Sequence, residues 1–200
     1  MDFTDNESGD IEVNEAIRKY DERKKFTYAD YDKWDDDNRY ELIDGFAYMM
    51  SAPSIDHQKI LVEFIRQFAV FLKGKTCKVF AAPCNVCLFG KGDEEENMVQ
   101  PDIFIVCDET KLEKKRCNGV PDMVIEILSP STSRMDLLLK LEKYQEAGVC
   151  EYWITDPDAK TVNVHILENG RYVIHSYESD ETIGVTVLDG CNITLSDVFE

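Results

Sequence analysis

Residues 121–130 read PDMVIEILSP, and the heart of this stretch, Val124-Ile125-Glu126-Ile127-Leu128, sets one acid among branched apolar side chains. A run of this length, bounded by Pro121 and by Ser129-Pro130, has the pattern of a strand covered on both faces. Leaving a polar group without a partner there costs on the order of 2–7 kcal/mol, and an isolated charge costs more. Glu126 therefore requires a partner from elsewhere in the chain.

Size and composition bound the search. The chain has 200 residues, 44% of them hydrophobic and 10% aromatic. A chain of this length buries roughly 70% of its unfolded surface, enough for a substantial core. We expect an acidic, disordered segment over residues 1–12 and one domain over 13–200. The opening MDFTDNESGD is acidic and polar, unlike a secretory signal. The apolar run from Ile60 to Leu72 is interrupted by Glu63, Arg66 and Gln67 and falls short of the ~20 residues that span a bilayer. These features predict a soluble, cytoplasmic protein without a membrane segment. Seven cysteines, an odd number, predict free and mostly buried thiols. Cys84 and Cys87 form a single CxxC, too little to define a zinc site.

A net charge of −18 opposes binding to nucleic acid, which relies on Lys and Arg to displace counterions. Its distribution weakens the objection. Residues 1–17 hold six acids and residues 172–200 hold six more, and neither segment contains Lys or Arg. Twelve of the eighteen excess charges thus lie near the ends, as solvated acidic segments do.

Along the chain, an amphipathic helix is expected over 13–25 and a short one in TYADYDKWDDD, opened by Thr27 as N-cap. In RYELIDGFAYMM, two strand-like runs flank Asp44-Gly45, a strong hairpin signal. Ser54 can cap a long helix whose Ile60, Leu61, Phe64, Phe68 and Leu72 recur at helical spacing. Strands are expected in CKVFAAP, NVCLF, DIFIVCD, the Glu126 stretch, EYWITD, TVNVHILE and RYVIHSYE. A helix should run from Ser131 to a stop at Gly148, and Ser196 should cap a last turn. The sum is an α/β, more closely α+β, fold: a mixed sheet flanked by helices.

Partners for Glu126 now emerge. Asp102 stands at the entrance of the DIFIV strand, twenty-four residues earlier, and two neighbouring strands could bring both carboxylates to one sheet edge. Two acids a few ångströms apart repel unless a cation lies between them. Magnesium, or Mn2+, suits carboxylate oxygens and retains waters for chemistry. In DLLLKLEKY, Lys140 points within about 60° of Leu137 and about 40° of Tyr144, so it borders the packed face of its helix. Its ammonium could reach the carboxylates and orient a water or neutralise a phosphate oxygen. Lys143 points away and should be solvated. Tyr144 and Trp153 read as core aromatics, and His57 as a first-turn surface or capping residue.

The segments YELIDG, APSIDH, QPDI, DMVIEILSPST and DLLLKLEKYQEAGVCEYWITDP, in that order, resemble the Uma-type family of restriction-endonuclease-like proteins, within the PD-(D/E)xK nuclease superfamily. The likeness covers roughly residues 27–198. It implies a restriction-endonuclease-like core and metal-dependent cleavage of nucleic acid phosphodiesters, DNA foremost, by a homodimer. Matched residue by residue, Asp102 and Glu126 are the acidic ligands, Ile127 offers its backbone carbonyl, and Glu41 completes the cluster. The third member of the ExK pattern falls on Leu128, so its lysine is expected from the next helix, at Lys140. Bases on the long helix, Lys59, Arg66, Lys73 and Lys75, would help to hold DNA. The alternative is a catalytically inactive module that keeps the nuclease scaffold to bind protein or nucleic acid, which Leu128 and the net charge favour.

Overall fold

The stretch around Glu126 folds as a strand, Met123–Ile127, with all five residues buried. The computed structural model describes residues 24–129 and 134–200. The segment expected to be disordered, most of the helix expected over 13–25, and the helix start expected at Ser131 lie outside the described residues; Lys24 and Lys25 are not helical.

In chain order, a short helix α1 (Tyr28–Tyr31) precedes β1 (Tyr40–Ile43), β2 (Phe46–Met49) and the long helix α2 (Ile55–Leu72). Then come β3 (Lys78–Ala81), β4 (Asn85–Cys87), β5 (Met98–Val99), β6 (Ile103–Val106), β7 (Arg116–Asn118) and β8 (Met123–Ile127). Helix α3 (Arg134–Ala147) leads to β9 (Glu151–Asp156), β10 (Thr161–Glu168), β11 (Arg171–Glu178), β12 (Thr182–Gly184), β13 (Asn192–Thr194) and α4 (Leu195–Val198).

Local chemistry accounts for the turns. Thr27 caps α1, and its backbone N–H donates to the Asp30 carboxylate at 3.1 Å. Asp44 and Gly45 both take positive φ, 51° and 81°, the geometry a two-residue β1–β2 hairpin requires. The Ser54 hydroxyl accepts from the His57 N–H at 3.1 Å and opens α2. At the end of α3, Gly148 adopts φ 90°, and Val149 N–H returns to the Tyr144 carbonyl, closing the helix as expected. The last turn starts from Thr194, so Ser196 lies inside it and does not cap it. Strands β5, β7, β12 and β13 escape the sequence reading because two or three residues show no periodicity.

A six-stranded sheet runs in the order β11-β10-β9-β8-β6-β3, with β8 and β9 parallel and the other pairs antiparallel. The parallel step is bridged by α3. A five-stranded sheet, β2-β1-β5-β4-β7, stands beside it. Alternation along β8 divides the core between two faces of the larger sheet. Met123, Ile125 and Ile127 pack with Ile60, Phe64, Phe68 and Leu72 of α2 and with the C-terminal segment. Val124 lies on the other face, with Phe104, Tyr152 and Tyr144 of α3. The expected mixed sheet flanked by helices is thus present.

The cysteines require a correction. Cys77 and Cys107 form a disulfide, while Cys84, Cys87, Cys117, Cys150 and Cys191 are free. Pairing of Lys78 with Val106 continues one step to set Cys77 opposite Cys107, a long-range proximity that spacing does not reveal. Of the free thiols Cys87, Cys117 and Cys191 are buried, and burial pushes Cys87 up to about 12. Cys84 and Cys87 pack into different apolar clusters, because residues three apart on an extended chain face opposite ways.

Trp153 joins the sheet to α2, with its ring 5.9 Å from Phe64 and 6.1 Å from Phe68 between centroids, and is fully buried. Trp153→Ala should lower the unfolding free energy by about 3–5 kcal/mol in urea denaturation. A loss below about 1 kcal/mol would contradict this packing.

Candidate active site

Pairing of β6 with β8 sets Ile103 opposite Ile125, so one further step sets Asp102 opposite Glu126. Directly opposed residues share a face, with Cβ atoms about 4.5–5.5 Å apart. Both acids stand at the end of the strand pair, on the face that α3 covers. Lys140 and Tyr144, one helical turn apart on α3, both donate to Glu126 Oε1, at 3.0 and 2.7 Å. Lys140 Nζ also lies 2.9 Å from Glu41 Oε1, which in turn accepts the Gln100 N–H at 2.8 Å. Asp102 Oδ2 accepts the Ile127 N–H at 2.8 Å and lies 3.1 Å from His57 Nε2. Glu41, His57, Asp102, Glu126, Ile127 and Lys140 line a cleft with a cavity volume of about 200 Å³, where Arg39, Leu128 and Leu137 also contribute.

Glu41, Asp102, Glu126 and Lys140, placed together on sequence grounds, do meet. Ile127 lines the cleft and holds Asp102 through its amide. Leu128 occupies the expected apolar position two residues beyond Glu126, and the lysine arrives instead from α3.

Two expectations fail. His57 is buried and faces Asp102, because α2 packs it against the sheet end. The signal was present in the sequence: His57, Ile60, Phe64 and Phe68 form one helical stripe, and all four are buried. Its Nδ1 is buried without a hydrogen-bond partner. Lys143 is not freely solvated either. Its ammonium lies 2.8 Å from Asp44 at the β1–β2 turn and 3.0 Å from Glu146, tying the hairpin to α3. The hairpin's tertiary position decides this. On α2, Lys59 pairs with Asp56, and Arg66 pairs with Glu63 and Asp197.

The cleft holds three carboxylates and one ammonium. Burial pushes Glu126 up to about 7; Lys140 opposes the rise, while Asp102 and Glu41 add to it. For Lys140 burial disfavours the charge, yet Glu126 and Glu41 outweigh it and raise its pKa. Burial and the neighbouring Glu126 also raise the Tyr144 phenol. Glu151, another buried acid, is raised by burial too, and it accepts from the Trp153 indole and the Val187 N–H at 2.8 and 3.0 Å, away from the cleft.

Among the described residues, no three acidic, imidazole or thiol groups already converge to enclose an ion. The donor set nonetheless suits a hard divalent cation. The hydrogen bonds above engage Oδ2 of Asp102 and Oε1 of Glu126 and Glu41, leaving a second oxygen of each outside those bonds.

The mixed sheet with helices on both faces is a restriction-endonuclease-like fold. The chain belongs to the Uma2 family, described as "Putative restriction endonuclease", whose profile matches residues 28–196. An uncharacterized protein of Synechocystis sp. is 23% identical over 163 residues, covering 80% of this chain and 84% of its own. In fold the chain is similar to the crystal structure of "a putative nuclease belonging to DUF820" from Anabaena variabilis. Its TM-score is 0.70 at 21% identity, covering 87% of this chain and 97% of that one. Among the described residues, no helix is long and apolar enough to cross a membrane.

The raised Glu126 pKa has a signed consequence. A carboxyl with a folded-state pKa above its unfolded value stabilises the fold fully below about pH 4.5 and loses that contribution as pH rises through about 7. Wild-type protein should therefore lose stability relative to Glu126→Gln between about pH 5 and about pH 8, by up to about 3 kcal/mol. Parallel pH profiles of the two melting temperatures would show that Glu126 titrates normally.

Proposed function

We propose that this chain is a divalent-metal-dependent endonuclease that hydrolyses phosphodiester bonds of nucleic acid, DNA foremost. The observation that carries the reading is the meeting of Asp102, Glu126 and Glu41 with Lys140 in one cleft. Family membership and the fold support it from a second side. Asp102 and Glu126 would hold Mg2+ or Mn2+, with the Ile127 carbonyl as a further oxygen. When bound, the ion supplies Lewis-acid polarisation of the phosphate and a lowered pKa for a coordinated water.

The chain's own residues do the rest. Lys140, fixed by two carboxylates, presents donors that align an attacking water and offset charge gathering on the phosphate oxygens. Tyr144 restrains Glu126 through its hydroxyl, and His57 with the Ile127 amide restrains Asp102, so neither acid must be ordered when substrate arrives. Glu41 anchors Lys140 from β1 and adds negative charge that favours a cation. Cutting both strands of a duplex would call for two copies, so a homodimer belongs to this reading.

One observation favours the second reading, an inactive nuclease-fold module. Lys140 is engaged by two acids, and a buried ion pair of this kind can be purely structural. Metal binding and hydrolysis separate the two. Mg2+ or Mn2+ at about a hundred times its dissociation constant should stabilise the wild type by about 2.7 kcal/mol in thermal denaturation and leave Asp102→Ala unmoved. Incubation with mixed DNA and RNA should give metal-dependent cleavage, lost in Lys140→Ala that still folds. Stabilisation without cleavage would favour the module.

The His57 contact carries its own expectation. His57→Ala should weaken Mn2+ affinity roughly 10- to 100-fold by isothermal titration, and His57→Gln, which retains a donor, should recover part of it. Unchanged affinity would assign His57 to packing alone.

A further inference from the structure

The wall of the candidate site is thin at Arg39. This half-buried residue just before β1 lines the acidic cleft on one side and a second cleft, of about 580 Å³, on the other. Gln100 marks the same partition: its N–H holds Glu41, while its side-chain amide lies in the second cleft, donating to Tyr31 and Asn85.

The charge balance of the second cleft is the reverse of the chain's. Overall, 40 acids face 22 bases. Here the lining cations are Arg39, Lys114, Lys115 and Arg116, against the single acid Glu113. Three of the four come from KLEKKR, residues 111–116, which runs into β7. Arg116 is held in place by Asp93 and Glu113, both at 2.8 Å, and lies 4.4 Å over the Tyr28 ring. Lys115 meets Asp32 in an exposed pair that an incoming anion can displace at little cost. Among the described residues, no ion pair engages Arg39 or Lys114. The remaining lining includes Phe80 and Pro83, and Phe80 is fixed by stacking on Phe104 with centroids 5.1 Å apart.

Four cations and Phe80 lining one cleft, which shares Arg39 with a site proposed for phosphodiester chemistry, match a strand better than a compact anion. We propose that the second cleft carries a single-stranded flank of the nucleic acid beyond the scissile phosphate. Backbone phosphates lie against Arg39, Lys114 and Lys115, and a base lies over Phe80 and Pro83. The inference rests on the nuclease reading for its direction of approach. It also explains how so acidic a protein admits a polyanion: bases outnumber acids in this cleft's lining, whereas Lys59 and Arg66 on α2 are paired with neighbouring acids.

The test is fluorescence anisotropy of a short labelled oligodeoxythymidylate and its RNA counterpart at low salt, compared across variants of equal net charge. Lys114→Glu/Lys115→Glu should weaken strand binding roughly tenfold or more and reduce the salt slope by about 1.4, or about 0.7 for each contact on a single strand. Lys73→Glu/Lys75→Glu, just past the C-terminal end of α2, should leave binding within about twofold. Both lysines of the first pair are exposed, so the variant should keep the wild-type melting temperature and the wild-type stabilisation by Mn2+. Comparing the two oligonucleotides tells whether the cleft prefers DNA or RNA. Equal losses in both variants, no loss in either, or no binding by the wild type would overturn the proposal. Loss confined to the 114/115 variant in a protein that Mn2+ does not stabilise would uphold the cleft and overturn the nuclease reading instead.

Discussion

The carboxylate of Glu126 on a central, fully buried strand is the constraint on which the rest of the architecture depends. Such a group in an apolar sheet is untenable without compensation, and here that comes from the next helix in the chain. The β8–α3–β9 crossover that makes the parallel step of the sheet also delivers Lys140 and Tyr144, one turn apart, to the same oxygen. One element thus closes the topology and solvates the charge. Removing either partner would leave a buried charge exposed to low dielectric, so the ion pair and the fold stand together.

That compensation does not return Glu126 to the ordinary carboxylate range. One ammonium pairs with two carboxylates, and burial, helped by Asp102 and Glu41, pushes Glu126 up to about 7 against the pull of Lys140. The restraining contacts from His57, the Ile127 amide and Gln100 show acids held in fixed orientations rather than freely solvated. Glu151 is also raised by burial, but its two N–H partners lie away from the cleft and no lysine pairs with it among the described residues.

The two clefts divide opposite charges across one wall. The acidic side is built from strand ends and α3, the basic side from the segment entering β7, and Arg39 faces both. In a protein of net charge −18, the lining of the second cleft is the place where bases outnumber acids, four to one.

Periodicity and turn chemistry were legible along the chain: the alternation around Glu126, the Asp44-Gly45 hairpin, the α2 stripe, and the helical wheel that turns Lys140 toward the sheet. These are local, since side-chain direction follows from backbone period alone. His57 was readable by the same stripe and was misjudged, because a histidine at a helix start can face either way until packing decides. The Cys77–Cys107 bond, the pairing of Lys143 with Asp44, the burial of Glu41 and the gathering of Lys114 to Arg116 beside Arg39 were not local in any sense. The sequence by itself determined which residues point to which side of their own strand or helix. Only tertiary structure decided which distant sides meet, because strand register and helix docking are set by the whole buried surface and not by any one segment.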